Sequence, residues 1–327
     1  MIVLESADLT AHILARGATL AGLWLRGHPR SLVLGFADPF SFEAAAFYAG
    51  AIVGPVANRI SRGQVHIDDK LFQMPLNEGV NCLHSGDEGL NTLEWEVCEQ
   101  TDVAVTLAVE LADYAMGLPG TRRVCVTYAL EQDSTLSVKI TASSDFDTVV
   151  NIAHHPYWTL DNGADIRHHR LRVDAAHYLP VNDRNLPTGQ ILSVAGSQYD
   201  FRTDRAVPVD RPLDANLCLS PRRLNNPRDI ATLTGTGGIC LQIATTEPGL
   251  QIYNGSGLPA DGPPALPGQT IAPFSGIALE PQGWPDAPNN PGFPSILLKA
   301  GEQYHQQTRY RIARDALDRP EIATSMS

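Results

Sequence analysis

Residues Val103-Ala104-Val105-Thr106-Leu107-Ala108-Val109-Glu110-Leu111 place a bulky apolar side chain at every second position. A period of two is the spacing at which side chains fall on one face of a β-strand, and valine suits that pleated surface. The same rule holds for residues 123–128 (RVCVTY) and 135–141 (TLSVKIT), then for 148–152, 239–245 and 250–253. Gly, Asp, Asn and Pro divide these runs, as turns require. Helical periodicity is nearly absent, and the short 40–48 segment is the best helix candidate. Many strands without alternating helices predict an all-β chain folded as a large antiparallel β-sandwich. Neither an internal repeat nor a clear linker is visible. The expectation is therefore one domain over 1–312 and a C-terminal tail over 313–327. Residues 174–231, rich in Asp, Asn, Pro and Arg, read as irregular loop with small strands.

Composition narrows the partners. The 327 residues carry a formal net charge of −12, which disfavours nucleic acid and anionic membranes. It also disfavours a phosphorylated substrate unless local arginines offset it. No apolar run is long enough for a transmembrane helix. The first six residues lack a basic segment and a long apolar core, so the expected location is cytoplasmic. The five cysteines are scattered without CxxC spacing, which implies neither a disulfide framework nor a zinc knuckle.

Five segments set polar residues beside strands. In Ala278-Leu279-Glu280-Pro281-Gln282-Gly283-Trp284 a carboxylate follows an apolar run, so it is expected at the end of a buried strand. An acid beside aromatic surface suits a neutral polyhydroxylated ligand: the carboxylate takes hydroxyl protons and the ring covers the apolar sugar face. Arg59, in Gly54-Pro55-Val56-Ala57-Asn58-Arg59-Ile60, is a charge in an apolar run and has to be paired or face a cleft. His84 lies in a glycine-flanked turn, Asn81-Cys82-Leu83-His84-Ser85-Gly86. His154 and His155 end a strand and face opposite sides of it, so only one can point into a given cleft. Asp214 is an acid inside the polar loop. Taken singly, each has an ordinary structural account as a salt bridge, a packed histidine or an Asx turn.

In this order the segments resemble the aldose 1-epimerase (galactose mutarotase) family. The likeness runs from Arg16-Gly17-Ala18-Thr19-Leu20 through GPVANRISRG (54–63), NCLHSG (81–86), HPYWTL (155–160), GLQIYNG (249–255) and LEPQGWPDAPN (279–289) to Gly301-Glu302-Gln303-Tyr304. The sequence departs from the family pattern at Pro156, Pro281, the LHSG turn, and Leu213 and Ala215 around the loop acid. Those departures bear on sugar preference more than on the reaction.

The resemblance implies the mutarotase supersandwich and interconversion of the α and β anomers of a free aldohexose such as galactose or glucose. Ring opening takes the proton of the C1 hydroxyl and delivers one to the ring oxygen; closure on the other aldehyde face reverses both transfers. One base and one acid are sufficient, so neither cofactor nor metal is expected. Glu280 matches the family's base and His155 its acid, with the Glu280 carboxylate expected to favour a protonated His155. His84, Asn58, Arg59, Asp214, Gln251 and Tyr157 match substrate-binding positions. Tyr157, Trp158 and Trp284 are candidates to stack on the sugar, and His154 is read as structural. The expected partner is a monosaccharide, bound by a monomer or homodimer.

Three rivals carry different signatures. A non-catalytic sugar-binding or regulatory protein would lack one proton-transfer group. A hexose-6-phosphate epimerase would need an arginine cluster, for which Arg202, Arg205 and Arg211 lie amid Asp200, Asp204 and Asp210. A metal enzyme would build on His84, His154 and His155.

Overall fold

The alternation in residues 103–111 is realised as the strand Ala104–Leu111, with Val105, Leu107 and Leu111 buried and Glu110 exposed. The computed structural model describes residues 1–44, 47–161 and 163–314. Ala104–Leu111 pairs antiparallel with Arg122–Glu131, which pairs with Thr135–Ser144, which pairs with Gln303–Arg314. Ile239–Thr245 and Arg228–Thr234 extend the same sheet on one side and Glu96–Gln100 on the other, and among the described residues the sheet counts nine strands. The last strand thus joins the centre of the sheet, where alternating Tyr304, Gln306, Thr308, Tyr310 and Ile312 point inward.

A second, six-stranded antiparallel sheet faces it. Its order is Tyr157–Trp158, Ile277–Gln282, Gly249–Tyr253, Asp214–Cys218, His177–Tyr178 and Leu192–Ser193. Leu217, Leu250, Ile252, Ile277 and Leu279 project from one face of this sheet into a core shared with Leu107, Val126, Ile140, Leu241 and Tyr310 of the larger sheet. An N-terminal three-stranded sheet, Ile2–Glu5, Leu9–Leu14 and Thr19–Leu25, packs onto the same core. The expected antiparallel sandwich is therefore what forms.

Local expectations fare as follows. The helix expected over 40–48 is a single turn, Ser41–Ala44; residues 45 and 46 lie outside the described residues. Residues 174–231 hold short strands between irregular segments, as expected. The last strand reaches Arg314, and the remainder of the expected tail lies outside the described residues. Among the described residues no helix is long and apolar enough to cross a membrane.

One polar bridge crosses the sandwich. Gln306, on the larger sheet, donates from Nε2 to the Pro281 carbonyl on the smaller one at 3.0 Å. The Tyr304 hydroxyl donates to Gln306 Oε1 at 2.8 Å and accepts from the Ile152 backbone N–H at 3.3 Å. Each polar group of this bridge thereby finds a partner, as the cost of an unsatisfied buried group demands.

Candidate active site

Cross-strand register assembles the floor of the site. Glu280 is the direct partner of Gln251, and Gln251 of Asn216. One step along, Tyr157 pairs with Ala278, Ala278 with Tyr253 and Tyr253 with Asp214. Directly opposed and i, i+2 residues share a face, so Glu280, Gln251, Asp214, Tyr253 and Tyr157 all rise from the face opposite the core. Glu280 lies inside its strand, Ile277–Gln282, where the sequence suggested its end. Asp214 opens a strand, Asp214–Cys218, where the sequence suggested a loop.

The wall comes from residues 58–59 and 77–84. Arg59 and Leu83 are strand partners. Asn77 fastens the turn before them, donating to the Leu83 carbonyl and accepting the Leu83 N–H. The Asn58 backbone N–H donates to His84 Nδ1 at 3.1 Å, and the His84 N–H returns a bond to the Asn58 carbonyl at 3.0 Å. Asn58 (φ 63°) and His84 (φ 50°) both hold left-handed backbone, as does Tyr48 (φ 59°) across the site. Non-glycine residues pay a strain energy there, and such residues cluster at functional sites.

These elements enclose a cavity of about 410 Å³ lined by Asn58, Arg59, His84, His155, Tyr157, Asp214, Gln251 and Glu280, so every expected site residue reaches it. Its volume falls at the small end of the range for small-molecule pockets, roughly 300–1,000 Å³. His155 Nε2 lies 3.4 Å from Glu280 Oε1, and both residues are buried. Arg59 forms a two-point ion pair with Glu78, at 2.7 Å and 2.8 Å, and its Nη1 lies 3.6 Å from Asp214 Oδ2. Gln251 Nε2 donates to Asp214 Oδ1 at 2.5 Å. The ring of Tyr48 covers the two histidines, its centroid 4.6 Å from His84 and 6.0 Å from His155.

Burial governs the proton positions. Desolvation, with the Asp214 carboxylate adding to it, pushes Glu280 well above the usual carboxylate range, and Arg59 pulls back against that rise. Desolvation lowers His155 to about 4. The sequence-based expectation that Glu280 keeps His155 protonated is therefore overturned: with both residues buried, dehydration of the charges outweighs their attraction. Burial thus disfavours the charged form of each partner. His84 is likewise lowered, by burial first and then by His155 and Arg59. Because its Nδ1 accepts from Asn58, neutral His84 carries its proton on Nε2.

Other expectations are corrected. Trp158 is fully buried against Tyr310 in the core. Trp284 packs edge-on against Phe293 and donates its Nε1 proton to the Pro248 carbonyl. Neither lines the cavity, so neither stacks on a ligand there. His154 points to the other side, between Tyr128 and Tyr310, as expected. Arg202 pairs with Asp200, and Arg211 lies 3.7 Å from Asp210; neither lines the cavity. His84, His155 and Glu280 offer donor atoms within 4.8 Å of one another, a spacing a cation could use. Ligation through His84 Nε2 would move its proton to Nδ1, against the Asn58 N–H. The cavity also receives Tyr48, Tyr253 and Asn185, which sequence reasoning missed. Tyr48 sat in the weak helix candidate and Asn185 in the polar loop, where nothing in the sequence marks a direction.

An acid, two imidazoles, a guanidinium and an amide around a monosaccharide-sized cavity define a proton-transfer catalyst for a hydroxyl-rich molecule. The profile of the family described as aldose 1-epimerase matches residues 1–311. Galactose mutarotase of Sus scrofa is 34% identical over 326 residues, covering 93% of this chain and 91% of that protein. Aldose 1-epimerase of Escherichia coli K12 is 31% identical over 328 residues, covering 94% and 93%. Among solved structures, an aldose epimerase homologue from C. elegans superposes with a TM-score of 0.88 at 31% identity, over 96% of this chain and 98% of that one. A galactose 1-epimerase from Lactobacillus acidophilus shares the fold, with a TM-score of 0.84 at 24% identity over 96% and 94%. The chain belongs to the aldose 1-epimerase family. It is an isomerase that interconverts the anomers of an aldose.

Proposed function

We propose that the substrate is a free aldohexose such as galactose or glucose and that Glu280 and His155 carry the two proton transfers. The observation that carries this reading is the 3.4 Å approach of His155 Nε2 to Glu280 Oε1 inside the cavity. One proton is shared between them. When it sits on His155, Glu280 is a carboxylate and takes the C1 hydroxyl proton. The bond from C1 to the ring oxygen breaks, its electron pair goes to the ring oxygen, and His155 protonates that oxygen. The products are the open aldehyde, a Glu280 carboxylic acid and a neutral His155. Rotation about C1–C2 presents the other carbonyl face, and the reverse transfers close the ring. Burial favours the neutral pair, the same state that accompanies the open chain.

His84 donates its Nε2 proton to the oxygen where charge develops, a role in which a preorganised donor is effective. Arg59, Asn58, Asp214 and Gln251 hold the sugar hydroxyls, which both donate and accept, and Tyr157 lies against the ring. The chemistry uses no cofactor or metal. The working unit is a single sandwich domain over 1–312, acting in the cytoplasm in carbohydrate metabolism as a monomer or homodimer. The net charge of −12 supports a partner list without nucleic acid or membrane.

Anomer exchange measured by NMR across a panel of free aldoses tests the assignment. Galactose or glucose is expected to exchange fastest. A panel in which neither hexose is accelerated while a pentose or deoxysugar is would overturn the substrate assignment.

A further inference from the structure

We infer that Glu78 is a positioning and charge-setting residue of the acid/base pair: it holds the Arg59 fork so that only Nη1 faces Asp214 and the cavity, and it offsets the positive field of Arg59 at Glu280. This inference rests on the proposed role of Glu280.

The geometry is specific. Glu78 Oε2 accepts from Arg59 Nε at 2.7 Å and Oε1 from Nη2 at 2.8 Å, which occupies one whole edge of the guanidinium. The remaining nitrogen, Nη1, lies 3.6 Å from Asp214 Oδ2. A two-point pair of this kind fixes orientation as well as distance. Glu78 is itself fixed by its turn: its backbone N–H donates to the Asn81 carbonyl at 3.2 Å, and the Asn81 N–H donates to the Glu78 carbonyl at 3.0 Å. The side chain of Asn77 ties that turn to Leu83, next to His84. One short hairpin thus aims both the guanidinium and the second histidine.

The charge argument is independent of the aim. Around Glu280 stand His155, His84, Arg59 and Asp214, with Tyr157 and Tyr253 on its own sheet and Tyr310 from the larger one. The buried histidines and the phenols of Tyr157 and Tyr310 are held neutral. That leaves Arg59 and Asp214 as the charges, with Arg59 pulling the Glu280 proton off and Asp214 holding it on. Glu78 carries the same sign of charge as Asp214 and pairs directly with Arg59, so it counters the pull of the guanidinium.

The test is Glu78→Gln, which keeps the shape and removes the charge of a half-buried side chain. In the pH profile of kcat/KM for mutarotation, the alkaline limb is expected to move to lower pH by about 1 unit, and KM to rise about tenfold. Glu78→Asp, which retains the charge, should leave the limb in place. If the glutamine variant does not accumulate, Glu78→Ser removes the carboxylate as well and must move the limb the same way. The Glu280 carboxyl ¹³C shift, titrated without sugar, should move with the limb. That readout needs no turnover, so a failed catalytic role for Glu280 remains distinguishable from a silent Glu78. A limb and carboxyl titration unchanged in Glu78→Gln would overturn the inference.

Discussion

In the proposed mechanism Glu280 and His155 hold one proton between them, and burial sets the pH range in which they do. Burial lowers His155 to about 4 and raises Glu280 above its ordinary range. Below about 4 the imidazole gains a second proton and no base remains. Above the raised Glu280 value both groups are empty and no acid remains. The kcat/KM profile of the free enzyme is therefore expected to be bell-shaped, with its acid limb near about 4 and its alkaline limb well above the usual carboxylate range. Two limbs near the ordinary carboxylate and histidine values would contradict the buried, coupled pair. That these residues meet was legible in the sequence because LHSG, HPYW and LEPQ stand in the order of the family motifs, and all three reach one cavity. Their protonation was not, because desolvation is set by how completely two sheets and a turn close around them. The same reason hid the fate of Trp158 and Trp284: an aromatic beside a polar motif packs inward or outward according to strand register.

At the scale of elements, two devices hold the site. The hairpin of residues 77–84 returns His84 to Asn58 through one backbone bond and one bond from the Asn58 N–H to the ring. The Tyr304–Gln306–Pro281 bridge ties the Glu280 strand to the larger sheet. Replacing Gln306 with Leu removes the side-chain donor to the Pro281 carbonyl and leaves the Tyr304 O–H proton without its acceptor. The expected cost is about 1–3 kcal/mol of stability per unsatisfied group, read as a lower denaturant midpoint. An unchanged midpoint would show that the bridge is not under load. Strand alternation in residues 103–111, 123–128 and 135–141 was enough to place the large sheet. It did not place Gln306, because an inward polar residue in an alternating strand reads as an exception until its partner across the core is known. The loop reading of Asp214 failed for a related reason. Its strand is short, and what makes it a strand is pairing with Gly249–Tyr253 far along the chain.

For the whole molecule, the sandwich divides its labour between the two faces of the smaller sheet. Leu250, Ile252, Ile277 and Leu279 bury one face in the core, and the residues between them carry the site. The fold class was legible because period-two runs without intervening helices admit few architectures. The lining of the cavity was not fully legible, since Tyr48 and Asn185 come from segments without a pattern that fixes direction. The central claim is that Glu280 and His155 perform the proton transfers on this scaffold. Glu280→Gln and His155→Asn keep the size of each side chain closely enough to leave the fold intact, which circular dichroism checks. Polarimetry of freshly dissolved α-D-glucose or α-D-galactose is then the direct measurement. Each variant is expected to lose at least about a hundredfold in mutarotation rate, the contribution of one general acid or base. A folded variant of either kind that retains near-full activity would remove that residue from its role.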